Sequence, residues 1–263
     1  MNLMWNKPKV SVIMPVYNRE EVLSCAIESV LNQDYAKFEL IIVDDCSTDG
    51  TPEIISKYEK LDKRIRTVRN EMNSRLAPQE WEPRNDGLKL AQGEYVAYLD
   101  SDNEWWPSFI GDMSKVLEMN PEIQLVHCNS LNFYPPQVLQ RVMASDQRKL
   151  VYCGNDCACF SCEELIESEF GAAVYIDTNE MMHRASVFRE IGGYWNTFHP
   201  RRKEIQAYQG NRYLYRRHND QDLFERIYYR YSRQSIYHLN KMLVNYYYPG
   251  SNRTRQPQWF EHI

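Results

Sequence analysis

Short apolar runs alternate with amphipathic stretches through the first hundred residues. Val10-Ser11-Val12-Ile13-Met14-Pro15 is a compact apolar run bounded by Pro8 and Pro15, which predicts a buried strand. Glu20 to Asn32 then places Val22, Leu23, Ala26, Ile27, Val30 and Leu31 on one face of a helix. Phe38 to Val43 predicts a second buried strand, and Asp49-Gly50-Thr51 has the chemistry of a turn opening the helix Pro52 to Leu61. Arg64 to Arg69 reads as a third strand. A helix from Asn85 to Gln92 follows, closed by Gly93 as its C-terminal glycine, and then a strand from Glu94 to Leu99. Four alternations of strand and helix predict an α/β fold whose central sheet is mostly parallel and flanked by helices.

Beyond residue 100 the pattern is looser. Pro107 to Met119 predicts a helix and Gln124 to Cys128 a strand. From Asn129 to Phe170 the periodicity is poor, and the expectation is strands and loops with helix from Cys162 to Glu169. Val174-Tyr175-Ile176 reads as a strand that Met181-Met182 extends, and Arg184 to Ile191 as a short helix stopped by Gly192-Gly193. Asn219 to Arg230 carries a helical stripe at Leu223, Phe224, Ile227 and Tyr228, opening at Asn219 or Asp220, and Tyr237 to Tyr248 is strand-like. No repeat or low-complexity linker interrupts the chain, so one domain over 1–263 is expected.

Composition narrows the function classes. The 263 residues are 43% hydrophobic and 25% charged, ordinary for a globular chain, and the net charge of −5 argues against a general nucleic-acid or anionic-membrane binder. The locally basic segment 201–217 leaves a phosphorylated, lipid-linked or nucleic-acid acceptor open beside a solvated lid. No apolar run approaches a membrane span, and Met1 to Lys9 lacks a secretory signal core, so a cytoplasmic protein is expected. The seven cysteines are odd in number and mostly scattered, which predicts reduced thiols. Cys153, Cys157, Cys159 and Cys162 cluster without paired CxxC knuckles, so isolated loop thiols are favoured over zinc.

Two predicted strands end in acid: Val43 runs into Asp44-Asp45, and Leu99 into Asp100-Ser101-Asp102. In open α/β sheets ligands collect at strand C-terminal ends, where paired carboxylates suit a hard cation. The plainer reading is an acidic turn that caps the next helix.

Several ordered motifs resemble the inverting nucleotide-sugar glycosyltransferases of family 2, which have the GT-A fold, and in particular the spore-coat polysaccharide synthesis type. They are Val10-Ser11-Val12-Ile13-Met14-Pro15-Val16-Tyr17-Asn18, Ser29-Val30-Leu31-Asn32-Gln33, and Ile42 to Thr51. Arg84-Asn85-Asp86-Gly87-Leu88, Ala91 to Tyr95, Asp100-Ser101-Asp102 in the manner of a DxD motif, Met182-His183-Arg184, Gly192 to Trp195 and Asn219 to Leu223 continue the match. The resemblance implies a single GT-A, Rossmann-like domain with a variable C-terminal acceptor region, 1–128 being the nucleotide-sugar-binding half and 129–263 the acceptor-binding half. It implies that Pro15, Val16 and Tyr17 line the nucleoside pocket and that Asp45 accepts from a base imide, favouring a UDP- or dTDP-sugar. Asp100 and Ser101 would lie near the ribose and metal, Asp102 would ligate Mn²⁺ or Mg²⁺, and Asp220 falls where the family has its general base. Arg84 and Arg75 are candidates for the diphosphate.

The chemistry asks for these residue types. Breaking a sugar–diphosphate bond leaves negative charge on the departing nucleotide, which a divalent cation stabilises. Such a cation needs only one or two protein carboxylates. An acceptor hydroxyl needs a carboxylate to take its proton, and one base opposite the leaving group gives inversion. Plainer roles stand beside these: Asp220 as a helix cap with Asp222 as the second candidate base, Asp44 as structural, His183 as a satisfied core histidine beside one facing the diphosphate or acceptor, Trp105-Trp106 as packing, and Tyr246-Tyr247-Tyr248 as core or interface beside stacking on sugar rings. Competing functions are a non-catalytic nucleotide-sugar-binding partner subunit, retaining transfer on the same fold, and a nucleotidyltransferase. Against the last, Pro15-Val16-Tyr17-Asn18 lacks the glycines of a phosphate loop.

Overall fold

The computed structural model describes residues 8–76, 82–145, 149–153, 157–161, 176–194 and 219–249. Strands β1 (Val10–Val16), β2 (Phe38–Asp44), β3 (Ile65–Arg69) and β4 (Tyr95–Tyr98) alternate with helices α1 (Leu23–Leu31), α2 (Thr51–Leu61) and α3 (Pro83–Leu90). β1 pairs in parallel with β2 and with β4, and β2 with β3, so the order is β3-β2-β1-β4. The expected parallel sheet holds to this point.

Past β4 the sheet becomes mixed. β5 (Glu104–Trp105) and α4 (Phe109–Met119) lead into β6 (Leu125–Phe133), α5 (Pro136–Ser145), β7 (Lys149–Cys153) and β8 (Cys157–Ser161). β9 (Met181–Arg184), α6 (Ala185–Ile191), α7 (Asn219–Tyr231) and β10 (Ile236–Tyr247) complete the described elements. β9 runs antiparallel between β4 and β6 and joins the two halves of the chain in one sheet. β10 then pairs in parallel with β6, and β5 closes that edge antiparallel to β10.

Strand alternation makes two cores. Val10, Val12 and Met14 of β1 face α1, α2 and α4, in a cluster with Leu23, Ile27, Ile55, Phe109 and Met113. Ile13 points the other way and joins Val96, Tyr98, Leu125, Leu223, Phe224 and Ile227 under α3, α6 and α7. The helical stripe read at Leu223, Phe224 and Ile227 is buried here. Each such side chain removed from water contributes about 1.5–3 kcal/mol.

Several expectations need correction. Gly93 does not cap α3, which stops at Leu90. A Cβ at Gly93 would sit 2.6 Å from Ser11 N and 2.8 Å from Tyr95 O, so glycine is required there for close backbone approach. Gly192 is the helix-stop glycine, with φ of 79° after α6. The region of poor periodicity holds an extended β6 and α5, whose buried side rests on little more than Leu139 and Val142. Met181-Met182 begins a separate strand after a one-turn 3-10 helix, Thr178–Glu180. The helix expected at 162–169 and residues 174–175 lie outside the described residues.

Two histidines are buried in the sheet. His127 stacks on His238 at 4.7 Å between centroids, and neither ring nitrogen of His127 has a hydrogen-bond partner. Burial, with His238 adding to it, pushes the His127 imidazole down to about 3, and burial pushes His183 down to about 4. Between the unfolded value of 6.5 and these folded values the unfolded chain binds more protons, so stability is present above pH 6.5 and falls as pH drops below it. The melting temperature is expected to fall between pH 6.5 and about 4. His127→Leu removes an unpaired buried polar group, so it is expected to change stability by less than about 1 kcal/mol at pH 7 and to flatten that acid slope. A slope unchanged in this variant would assign the acid sensitivity elsewhere.

Candidate active site

The parallel strands bring their C-terminal ends to one level. Ile13 of β1 stands opposite Tyr98 of β4, and Val16 opposite Asp44 of β2. The Asp45 amide donates to Val16 O (2.8 Å) and the Leu99 amide to Ile13 O (3.1 Å), which carries the ladder into the acidic turns. The strand ends open onto a cleft of about 530 Å³. Pro15, Val16, Tyr17, Asp45, Arg84, Asp100, Ser101 and Asp102 all line it, as does Arg75. The residues singled out for nucleotide and metal thus share one wall-to-wall site.

Asp45 is buried, and its carboxylate accepts from Asn70 Nδ2 (3.2 Å), Asn73 Nδ2 (3.0 Å), the Ser74 amide (3.0 Å) and Ser74 Oγ (2.7 Å). The loop after β3 is therefore folded around this one side chain. Asp44 points away into structure: it accepts from the Ser47 amide (2.9 Å) and lies 3.5 Å from Arg69 Nε, the structural role expected of it.

Asp100 sits at the centre of a second network. Arg84 Nη2 donates to its Oδ1 at 2.5 Å, while Arg84 Nη1 donates to Glu82 Oε1 at 3.0 Å. From the other side the fully buried Asn179 accepts from the Asp100 amide (2.6 Å) and donates Nδ2 to Asp100 Oδ2 (3.2 Å). The same Asn179 Nδ2 also donates to Asp177 Oδ1, and the Asn179 carbonyl accepts from Trp105 Nε1 (2.9 Å). Trp105 stacks on Phe109 at 3.8 Å, and Trp106 Nε1 donates to Asn245 Oδ1 (2.9 Å), so both rings act as the packing expected of them.

Asp102 is about a third exposed and takes an ion pair from Arg19 Nη2 at 3.3 Å. Tyr246, from β10, enters the same cleft. Burial, with Asp177, Asp100 and Asp102 adding to it, holds its hydroxyl above the ordinary tyrosine range, so Tyr246 keeps its proton in this site. Among the described residues no group of three His, Cys, Asp or Glu side chains is arranged to hold a metal. The oxygen-only donors Asp100 and Asp102 nevertheless fit a hard cation that keeps most of its waters.

His183 does not reach the cleft. Its Nε2 meets Tyr98 Oη at 2.7 Å and its Nδ1 meets the Arg184 carbonyl at 2.8 Å, so it is a neutral, satisfied core histidine. A carbonyl only accepts, so Nδ1 carries the proton and Nε2 accepts from the tyrosine. Asp220 lies in the first turn of α7 with Asp222 two residues on. The side chains of both lie outside the described residues, as do those of Cys153, Cys157, Cys159 and Cys162. Arg19, Asp177 and Asn179 were not legible as site residues, and Tyr246 was legible only as one of three tyrosines that could stack on a sugar or pack in the core. The one signal for the turn was Asp177-Thr178-Asn179-Glu180, a capping box seen in the structure.

Residues 11–162 match the sequence profile of glycosyl transferase family 2. The chain is also 31% identical over 239 residues to the putative glycosyltransferase EpsE of Bacillus subtilis, covering 86% of this chain and 78% of EpsE. The chain belongs to glycosyltransferase family 2. The putative teichuronic acid biosynthesis glycosyltransferase TuaG of the same organism is 52% identical over 99 residues. That match spans 38% of each chain. Among solved structures, S. aureus TarS superposes with a TM-score of 0.59 at 22% identity, over 91% of this chain and 37% of TarS. TarS 1-349 in complex with UDP-GlcNAc gives 0.57 at 20% identity, over 93% of this chain and 60% of that one. The chain thus spans less than two thirds of TuaG and of both TarS structures. The TarS likenesses carry the GT-A fold, a central curled sheet flanked by helices.

The Asn179 amide is hydrogen-bonded to both Asp100 and Asp177. Asn179→Ala leaves the Asp100 amide without its acceptor and is expected to cost about 1–3 kcal/mol in denaturant unfolding. Asn179→Asp is expected to cost more, because it sets a third carboxylate against two others. An Asp variant as stable as wild type would show that these carboxylates do not share one electrostatic site.

Proposed function

We propose that this family 2 chain transfers a sugar from a UDP- or dTDP-sugar to an acceptor hydroxyl with inversion at the anomeric carbon. The observation that carries the proposal is the single cleft that holds Asp45 at one end and Asp100 and Asp102 at the other. A nucleoside diphosphate needs both ends: an acceptor for the base and an anchorage for charge at the phosphates.

Asp45 would accept the imide N–H of uracil or thymine. Its carboxylate already takes several donors, and the Ser74 hydroxyl, which rotates freely, is the one that would yield. Tyr17 would stack on the base, and Pro15 and Val16 would line its edge. Ser101 would lie beside the ribose, and Arg84 fixes the Asp100 carboxylate through its 2.5 Å bond. Asp102, with Asp100, would hold Mn²⁺ or Mg²⁺, which when bound supplies positive charge to a departing diphosphate. TarS 1-349 forms a complex with UDP-GlcNAc, and its likeness of fold supports a UDP-linked donor for this chain.

In the proposed reaction the acceptor oxygen attacks the anomeric carbon as its proton passes to the Asp220 carboxylate. The bond from that carbon to the diphosphate oxygen breaks, and the electron pair leaves with the nucleotide. One base on the face opposite the leaving group produces inversion, with no covalent glycosyl-enzyme. Asp222 is the alternative base on the same helical turn.

A thermal-shift panel of nucleoside diphosphates and nucleotide sugars with and without Mn²⁺ tests the donor. UDP or dTDP is expected to raise the melting temperature only with the cation present, and Asp102→Ala to abolish that rise. Silence from every nucleoside diphosphate in the presence of Mn²⁺ would overturn the transferase reading. Asp220→Asn is expected to keep the thermal shift and lose turnover by about 10²–10⁴-fold; full activity in that variant moves the base to another residue.

A further inference from the structure

The stretch Gly192-Gly193-Tyr194 has no part in the reaction proposed above, yet three helices meet on it. It follows α6, and it is bonded to α7 through Arg226 and to α3 through Asn85. Arg226 is a guanidinium only 5% exposed. Its Nη1 donates to Ile191 O (2.9 Å) and its Nη2 to Gly193 O (2.6 Å), with Gly192 O 3.4 Å from Nη1. These carbonyls lie at and just past the end of α6, where the helix dipole is negative and carbonyls lack partners within the helix. Bonds to a charged donor are strong, and they offset the cost of burying the guanidinium.

The other end of the link is equally directional. Asn85 Nδ2 donates to Tyr194 O (2.8 Å), and Asn85 Oδ1 accepts from the Tyr194 amide (2.8 Å). A Cβ at Gly193 would collide with Asn85 Oδ1, so this close approach requires glycine. The residue before Asn85 is Arg84, whose guanidinium holds Asp100. Arg84 also lies over the Tyr194 ring at 5.4 Å, and that ring meets Tyr98 of β4 edge-on at 5.1 Å.

The buried face of α7, Leu223, Phe224 and Ile227, holds the helix down by apolar contact, which has no direction of its own. A planar fork set on carbonyls does have direction, and it fixes the helix along its axis. Asp220 lies six residues before Arg226, about 9 Å along that axis. We propose, resting on the transferase reading above, that Arg226 is a positioning residue for the reaction. Through α7 it sets where Asp220 stands, and through the Gly193–Asn85 contact it refers that position to the helix whose Arg84 holds Asp100. The base and the acidic turn are thereby kept at the separation across which an acceptor oxygen reaches the anomeric carbon. A displacement of about 1 Å in such a geometry costs about 10²-fold in rate.

The test uses the full chain with Mn²⁺ and follows release of nucleoside diphosphate from UDP-glucose, UDP-N-acetylglucosamine and dTDP-glucose. A mixture of p-nitrophenyl β-glucoside and p-nitrophenyl β-N-acetylglucosaminide serves as acceptor. Arg226→Lys keeps the charge but loses the fork, and Asn85→Ala cuts the α3 end of the link without burying a new charge. Each is expected to lower kcat by roughly tenfold or more, with donor KM and the nucleotide thermal shift unchanged. The double variant is expected to lose no more than the worse single one, because both break one link. Ile227→Val removes a buried methyl group from the same helix and is expected to lower the melting temperature with kcat unchanged, which separates positioning from stability. Full kcat in both single variants, a donor KM that rises as far as kcat falls, or a kcat that drops equally in Ile227→Val overturns the positioning role alone. A wild type that releases diphosphate from none of the donors overturns the transferase reading and this proposal with it.

Discussion

The structure is organised around the problem of keeping several carboxylates together at the ends of parallel strands. Asp45, Asp100 and Asp102 open onto one cleft, with Asp177 close by on the Asn179 amide. Like charges this close repel unless each is answered. Neutral donors answer Asp45: two asparagine amides, a serine hydroxyl and a backbone amide. Asp100 is answered by Arg84 on one side and Asn179 on the other, and Asp102 by Arg19. The gradation follows exposure. The buried carboxylate is held by fixed dipoles, and the partly exposed Asp102 by a flexible, solvent-facing guanidinium.

Topology supplies the partners. Strand β9 runs antiparallel between β4 and β6, so the turn that precedes it, Asp177 to Glu180, arrives at the C-terminal end of β4. There Asn179 meets Asp100 and Trp105. Strand β10 runs the length of β6, from Ile236 opposite Leu125 to Tyr247 opposite Phe133, and carries Tyr246 into the cleft. The short β5 locks β10 to the acidic turn through Val244 and Trp105. The N-terminal strands and the C-terminal half of the chain are joined by hydrogen bonds within one sheet.

Much of this was legible in the chain itself. The apolar runs at Val10, Phe38 and Tyr95 are the strands β1, β2 and β4, and the stripes at Leu23 to Leu31 and Leu223 to Ile227 are buried helical faces. Both features follow from local periodicity, which every residue reports independently. The acidic strand ends were legible for the same reason, since their meaning depends only on what precedes them. His183 was ambiguous because its ring looks the same in a chain whether it meets a phosphate or the Tyr98 hydroxyl. Gly93 was read as a helix stop because glycine serves both positive φ and close approach. Only the position of Ser11 beside it tells the two apart.

The sequence alone determined the alternation of strand and helix, a mostly parallel sheet and the carboxylates that end two of its strands, because each rests on patterns within a few residues. It did not determine how those carboxylates are held. Asn179 lies 79 residues from Asp100, and Tyr246 lies 144 residues from Asp102. Neither has a local signature, because an amide or a phenol becomes a site residue only through the charge placed opposite it. Tertiary structure decided that pairing by threading β9 antiparallel beside β4 and running β10 beside β6.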